Sequence, residues 1–240
     1  MEENFILMSD LYKDTHWFQY RPKTQSIKSY FENRGTTEQE PFDYNLLFGL
    51  QAYIKRYMEG PVIKQWMIEE AEQMFFESFG QNYFNKNGWQ KIIDVYGGCL
   101  PLEIFAVPEG SIVPKRNVLF KQKNTDSELY WLTNFCEDIL MNVWNPITIA
   151  TFSYACKKLI DKKAIICGER VTEFHLNDFG MRGCKCPEDA ALSGMGHLIN
   201  FYGSDNALAI SYLKKYYGGS QAKGLSVFAT EHSKIGRAHV

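Results

Sequence analysis

Apolar residues first recur with a helical period. Leu46, Leu47, Leu50, Tyr53, Ile54 and Tyr57 share one face of a 3.6-residue repeat, with Asp43 placed to cap it and Gly60-Pro61 to end it. A second helix is predicted from about Val62 to Phe79, stopped by Gly80. The period then shortens. Leu102 to Val107, Ile112 to Val113 and Val118 to Gln122 read as short strands, with a turn at Pro108-Glu109-Gly110. Thr125-Asp126-Ser127-Glu128 has capping-box spacing and predicts a helix through about Val143. Pro146 suits the first turn of the next helix, ending near Ile160.

Beyond residue 170 the rhythm becomes strand, helix, strand, helix, strand. Val171 to Asn177, Leu198 to Tyr202 and Leu225 to Ala229 read as the strands. The first intervening helix opens at Cys186-Pro187-Glu188-Asp189, with proline and two acids in its first turn; the second runs from Asn206 to Tyr217 and stops at Gly218-Gly219. This order implies parallel strands with right-handed crossovers, hence an α/β class. The change of rhythm near 165 divides the chain into residues 1–165, mixed α+β, and residues 166–233, a βαβαβ unit.

Composition narrows the function classes. The chain has 240 residues, 45% of them apolar, enough for a substantial core. Lys and Arg total 26 against 28 Asp and Glu, a net charge of −2 that excludes a strongly basic nucleic-acid binder and an acidic disordered tail. No apolar run is long enough for a membrane span, and Met1-Glu2-Glu3-Asn4 lacks a signal-peptide start. The six cysteines show no metal-ligand rhythm, and Cys184-x-Cys186 has no second pair, so reduced thiols in the cytoplasm are expected, with no protein-held metal. Ile235-Gly236-Arg237-Ala238-His239-Val240 has no period and coincides with one reading frame of a common short-read library adapter. The native sequence is therefore expected to end near Ser233 or Lys234, with 234–240 a non-native tail.

Ligands of parallel sheets bind beyond the carboxyl ends of the strands. There the sequence places Asp178, Phe179, Gly180, Met181, Arg182 and Gly183; then Gly203, Ser204, Asp205 and Asn206; then Thr230, Glu231, His232 and Ser233. An aromatic ring, a guanidinium, a carboxylate and an imidazole suit a small planar polar ring together with a phosphorylated partner. Phe179 would stack on the ring, Arg182 grip phosphate, and Asp205 accept from an amide NH2. Plainer roles compete. Asp205 could simply cap the following helix, His197 reads as a satisfied buried histidine, and Trp17, Trp66, Trp89, Trp131 and Trp144 read as core. Asp178-Phe179-Gly180 is not a kinase loop, because no glycine-rich or His-Arg-Asp loop precedes it.

The strings Asn177-Asp178-Phe179-Gly180-Met181-Arg182-Gly183, Asn200-Phe201-Tyr202-Gly203-Ser204-Asp205 and Ser226-Val227-Phe228-Ala229-Thr230-Glu231-His232-Ser233 resemble signatures of the nicotinamide phosphoribosyltransferase family. So do Asp10-Leu11-Tyr12-Lys13-Asp14-Thr15-His16 and Gln19-Tyr20-Arg21-Pro22, and blocks at 100–104, 106–110, 117–120 and 130–134. The resemblance runs in family order to about Ser233. It implies a type II phosphoribosyltransferase: an irregular α/β barrel, of which 166–233 would be the opening, preceded by a mixed helix/sheet domain that carries dimer-contact elements. It implies a homodimer with sites at the interface. The implied reaction converts nicotinamide and phosphoribosyl pyrophosphate to nicotinamide mononucleotide and pyrophosphate in NAD salvage, with Mg2+ carried mainly on the pyrophosphate and ATP as activator.

By the same resemblance Phe179 stacks on one face of nicotinamide and Tyr12, reaching from a partner subunit, on the other. Asp205 accepts from the carboxamide, Arg182 and Arg34 bind phosphate, Ser226 and Val227 line the tunnel beside the ring, and His232 is the phosphorylated histidine. The chain departs from the family at Asn177 (often His), Met181 (often Tyr), Phe228 (often Pro) and Cys184-Lys185-Cys186 (usually Ser-rich). The family's chain is about twice this length, so a truncated N-terminal half, inactive alone, is expected. Two alternatives stand beside this reading. One is a nicotinate phosphoribosyltransferase, disfavoured by Asp205 and Tyr12. The other is a non-catalytic short homologue that acts as a binding or dimer module.

Overall fold

The computed structural model describes residues 3–35, 42–218 and 223–229. Gly49 turns the chain early: at φ +99° it holds a conformation that side chains resist, and a Cβ there would come 2.4 Å from Pro146. Before it lies strand β2 (Tyr44–Leu46); after it, helix α1 (Leu50–Tyr53) runs into a π turn over Ile54–Met58. The one helix expected from Asp43 is therefore a strand followed by a shorter helix. Leu46 pairs with Ile112 of β4 (Ile112–Pro114), and its helical spacing with Leu50 and Tyr53 arises because both elements face one core.

Helix α2 (Gln65–Phe79) stops at Gly80 as predicted. Strand β1 (Lys28–Glu32) and helix α3 (Lys86–Tyr96) are elements that the apolar pattern did not single out. Asn85 opens α3 by accepting from the Gly88 N–H at 3.1 Å, and Trp89 and Ile92 fill the core at helical spacing. Strands β3 (Leu102–Ala106) and β5 (Val118–Asn124) join β1 in an antiparallel sheet of order β1-β5-β3, with Phe31 stacked on its cross-strand partner Phe120 at 4.8 Å. The helix expected over 125–143 is broken. Asp126 does accept from the Glu128 N–H, but helix forms only at α4 (Leu132–Phe135) and α5 (Glu137–Met141), which bend at the fully buried Cys136. Helix α6 (Trp144–Cys167) carries Pro146 in its first turn and runs past Ile160 to Gly168 at φ +73°.

The C-terminal order is as predicted, with much shorter strands. Parallel β6 (Asn177–Asp178) and β7 (Gly203–Ser204) are joined by helix α7 (Pro187–Leu198); α8 (Ala207–Tyr217) follows, and Leu225 adds one parallel bridge to Gly203. Residues 171–176 turn instead of extending. Leu198 ends α7, and Phe201 packs against the helices, so that apolar run serves helix burial rather than a ladder. Small residues let α7 lie close: a Cβ on Gly196 would come 2.9 Å from the Pro146 carbonyl of α6, and one on Gly194 would come 2.5 Å from Ala209 of α8. Leu192, Met195 and Tyr216 share one apolar core with α1 to α5.

Of the five tryptophans, Trp89 and Trp131 are core, packed edge-to-face at 4.8 Å. Trp17 is half-buried, whereas Trp66 and Trp144 are 39% and 41% exposed, which corrects the all-core expectation. Both line a surface groove (below). Among the described residues no helix is long and apolar enough to cross a membrane.

Candidate functional site

The site at the carboxyl end of the parallel strands is assembled by side-chain hydrogen bonds, because two-residue strands supply few backbone bonds. Asp178 Oδ1 accepts from the Gly180 N–H at 2.7 Å and Oδ2 from Ser204 Oγ at 3.3 Å, tying the loop after β6 to β7. That loop turns through a 3-10 segment, Gly180–Arg182, and presents Phe179 (56% exposed) and the exposed Arg182. Asn206 caps α8 by accepting from the Ala209 N–H at 3.1 Å, and its Nδ2 donates to the Ala190 carbonyl of α7 at 2.8 Å. The capping duty that Asp205 might have carried thus falls to Asn206, and the Asp205 carboxylate is left at the exposed sheet end. There it accepts from Asn177 Nδ2 at 2.6 Å and from Ser226 Oγ. Val227 is 75% exposed beside it in sequence. Phe179, Arg182, Asp205, Ser226 and Val227 therefore follow adjacent parallel segments. His232, and with it the tail 234–240, lies outside the described residues.

The two residues expected to act from a partner sit elsewhere. Tyr12 is 55% exposed in a 3-10 segment, Leu11–Phe18, and meets His16 edge-on at 5.3 Å. The adjacent Lys13 anchors that segment: its buried ammonium pairs with Glu137 at 2.6 Å and Asp138 at 3.1 Å, and donates to the Asn134 carbonyl. Burial alone would lower the Lys13 pKa, but these two carboxylates reverse it and hold it raised. Arg34 is exposed after β1, its carbonyl accepting from Arg116 Nε at 3.4 Å. Among the described residues neither Tyr12 nor Arg34 makes a hydrogen bond, ion pair or ring contact with Phe179, Arg182 or Asp205.

Asp14 faces inward from the Tyr12 segment, with Oδ2 lacking a hydrogen-bond partner among the described residues, and burial pushes its pKa up to about 7. The folded state then binds more protons than the unfolded one between about pH 4 and 7. Stability should fall as pH rises through that window and level off above it. Asp14→Asn is expected to remove the slope and to raise stability at pH 8 by about 1–2 kcal/mol, read from urea midpoints across pH. An unchanged slope in the variant would assign the pH dependence to other groups.

The other candidates have structural roles. His197 is buried, stacked on Phe201 at 5.1 Å, with Nε2 against the Gly203 carbonyl at 3.1 Å and Nδ1 against Ser153 Oγ at 3.3 Å; burial pushes its pKa down, as for a satisfied neutral histidine. Cys186 Sγ caps α7 by accepting from the Asp189 N–H at 3.5 Å. Among the described residues no group of three or more His, Cys, Asp or Glu is arranged to hold a metal ion. A groove of about 1530 Å3 opens away from this site, lined in part by Tyr53, Tyr57, Trp66 and Trp144. Its Glu188 is paired with Arg56 at 2.7 Å and its Asp189 accepts from the Lys185 N–H and Asn145, so these two carboxylates are already committed to the protein. Sequence reasoning did not identify Asn177 as a partner of Asp205; the parallel register could have signalled it only once β6 was confined to two residues.

Comparisons with known proteins show first the fold, then the family. A crystal structure of human nicotinic acid phosphoribosyltransferase shares the fold, with a TM-score of 0.62 at 17% identity over 92% of this chain and 39% of that one. A family model described as nicotinamide phosphoribosyltransferase, N-terminal domain, matches residues 4–104. The chain is 37% identical over 236 residues to the nicotinamide phosphoribosyltransferase of Xanthomonas campestris pv. campestris (strain 8004), covering 97% of this chain and 49% of that protein. It is 33% identical over 242 residues to the protein of the same name from Acinetobacter baylyi (strain ATCC 33305 / BD413 / ADP1), covering 93% and 47%. The chain belongs to the nicotinamide phosphoribosyltransferase family, carrying its N-terminal domain, and spans about half the length of the curated relatives it matches.

Proposed function

We propose that this chain supplies the nicotinamide-recognising part of a nicotinamide phosphoribosyltransferase, which joins nicotinamide to phosphoribosyl pyrophosphate and releases nicotinamide mononucleotide and pyrophosphate. The observation that carries the reading is the Asp205 carboxylate, held by two donors at the exposed sheet end in the same loop cluster as Phe179 and Arg182. A carboxylate accepts from a carboxamide NH2 and repels the carboxylate of nicotinate. Phe179 offers a face for the pyridine ring, and Arg182 a planar fork for phosphate.

Such a reaction needs no covalent nucleophile from the protein. The pyridine nitrogen attacks the anomeric carbon as pyrophosphate leaves, and the protein's part is alignment of ring with sugar and stabilisation of the departing charge. Mg2+ belongs on the pyrophosphate oxygens in this reading, on resemblance alone. ATP activation through His232 completes the proposal on resemblance alone.

Residues 1–165 are read as the mixed domain and 166–233 as the opening of a barrel. The switch from antiparallel pairing in the first part to parallel pairing in the second supports that division. A homodimer that brings Tyr12 and Arg34 to a partner's site accounts for their exposure and their separation from Phe179. The free thiols among the described residues suit a cytoplasmic protein.

Ligand-observed NMR should detect nicotinamide binding to the chain, and Phe179→Ala should weaken it by about tenfold, the value of a good ring contact with its buried area. Absence of nicotinamide binding by the unaltered chain would refute the assignment.

A further inference from the structure

We infer that Asn177 is a positioning residue that aims the Asp205 carboxylate, and that Gly203 provides the space in which Asn177 does so; the inference rests on the amide-recognition role proposed for Asp205. Asn177 Nδ2 donates to Asp205 Oδ2 at 2.6 Å, and Ser226 Oγ donates to Oδ1. An aspartate carboxylate otherwise turns freely over a broad range of χ2. With one bond on each oxygen it cannot turn without losing both, and each oxygen keeps lone-pair capacity for a ligand N–H. The orientation of the Asn177 amide is fixed by chemistry, because the reverse would set Oδ1 against a carboxylate oxygen.

The backbone prepares this contact. In the parallel register Asn177 lies directly beside Gly203. A Cβ built on Gly203 would come 2.3 Å from Asn177 Oδ1. Gly203 is not among the glycines at positive φ, so glycine is required there by space rather than by backbone conformation. Any side chain at 203 would displace the Asn177 amide that donates to Asp205 without removing a single hydrogen-bonding group.

Two variants separate geometry from chemistry. Asn177→Leu removes the donor, and Gly203→Ala keeps it but displaces it. Measured by ligand-observed NMR on the chain, both are expected to weaken nicotinamide binding by about tenfold, the worth of one well-aimed hydrogen bond to a charged group. Binding of 3-methylpyridine, which has the ring without the carboxamide, should be the same in all forms. Asn177→His, which keeps an N–H donor, should restore nicotinamide affinity. A general structural role would instead weaken both ligands together and would overturn the inference, as would unaltered nicotinamide affinity in Asn177→Leu.

In the ligand-free chain the Asn177 side-chain NH2 should exchange with solvent more slowly than that of an exposed asparagine. Exchange as fast as an exposed group overturns the contact itself. Failure of the unaltered chain to bind nicotinamide, with slow Asn177 exchange intact, overturns the reading of Asp205 rather than the contact, and the positioning role falls with it.

Discussion

Asp205→Ser is expected to cut the preference for nicotinamide over nicotinate by about 100-fold, because a hydrogen bond to a charged acceptor contributes about 1.5–3 kcal/mol and the repulsion of nicotinate disappears with it. The structure makes this substitution a clean one. Asp205 does not cap α8, since Asn206 does, and among the described residues its carboxylate bonds only to Asn177 and Ser226, at an exposed position. The fold should survive, leaving Asn177 and Ser226 free to meet solvent or the ligand. Competition titrations of the two pyridines against the chain would measure the ratio; a ratio unchanged from the parent would remove Asp205 from ligand recognition.

Trp89→Ala is expected to destabilise the chain by about 3–5 kcal/mol, the range for truncating a fully buried large aromatic. Trp89 is 0% exposed and packs edge-to-face on Trp131 at 4.8 Å and on Phe135 at 4.9 Å, so it joins α3 to α4 and to the residue that precedes it. Its loss leaves a void lined by two rings, Trp131 and Phe135, on a segment far along the chain from Trp89 itself. Urea unfolding followed by intrinsic fluorescence, with Trp131 as the remaining core reporter, would give the shift in midpoint. A change below about 1 kcal/mol would mean that the surrounding rings collapse into the space.

What could be read in the sequence depended on whether local chemistry or tertiary packing decided the outcome. Gly80 and Gly218 ended their helices where they were expected to, because a left-handed terminus is a local requirement, whereas α6 ran past the expected end near Ile160 to the left-handed Gly168. Cys186-Pro187 and Asn206 likewise opened theirs. Segments whose apolar residues serve two kinds of element were misread. Leu46 and Leu50 share a face of the core but not a helix, and Leu198 and Phe201 are buried at the end of a helix rather than in a strand. The break at Cys136 within the expected 125–143 helix has no local breaker residue; it follows from packing against β5 and the Leu11–Phe18 segment.

At the site, the loop residues Phe179, Arg182 and Asp205 were legible because they follow parallel strands, and the resemblance gave them roles. The bond from Asn177 to Asp205 was not legible. It depends on a two-residue register between segments 28 positions apart, and apolar pattern carries no information about that. The buried, unpartnered Asp14 was hidden for a related reason: within a polar string its inward direction is set only by how its segment packs.

Asn206 bridges two helices with one side chain, capping α8 while bonding to Ala190 of α7, and Asp205, the carboxylate proposed to recognise the amide, is its immediate neighbour. Asp205 is thereby fixed before any ligand arrives. Little ordering entropy is left to be lost on binding, so a small, weakly functionalised ring can be held by few contacts. The same rigidity narrows the range of angles from which an amide can approach. On the proposed reading, such a site would be tuned to one substituent position on the ring as well as to one functional group.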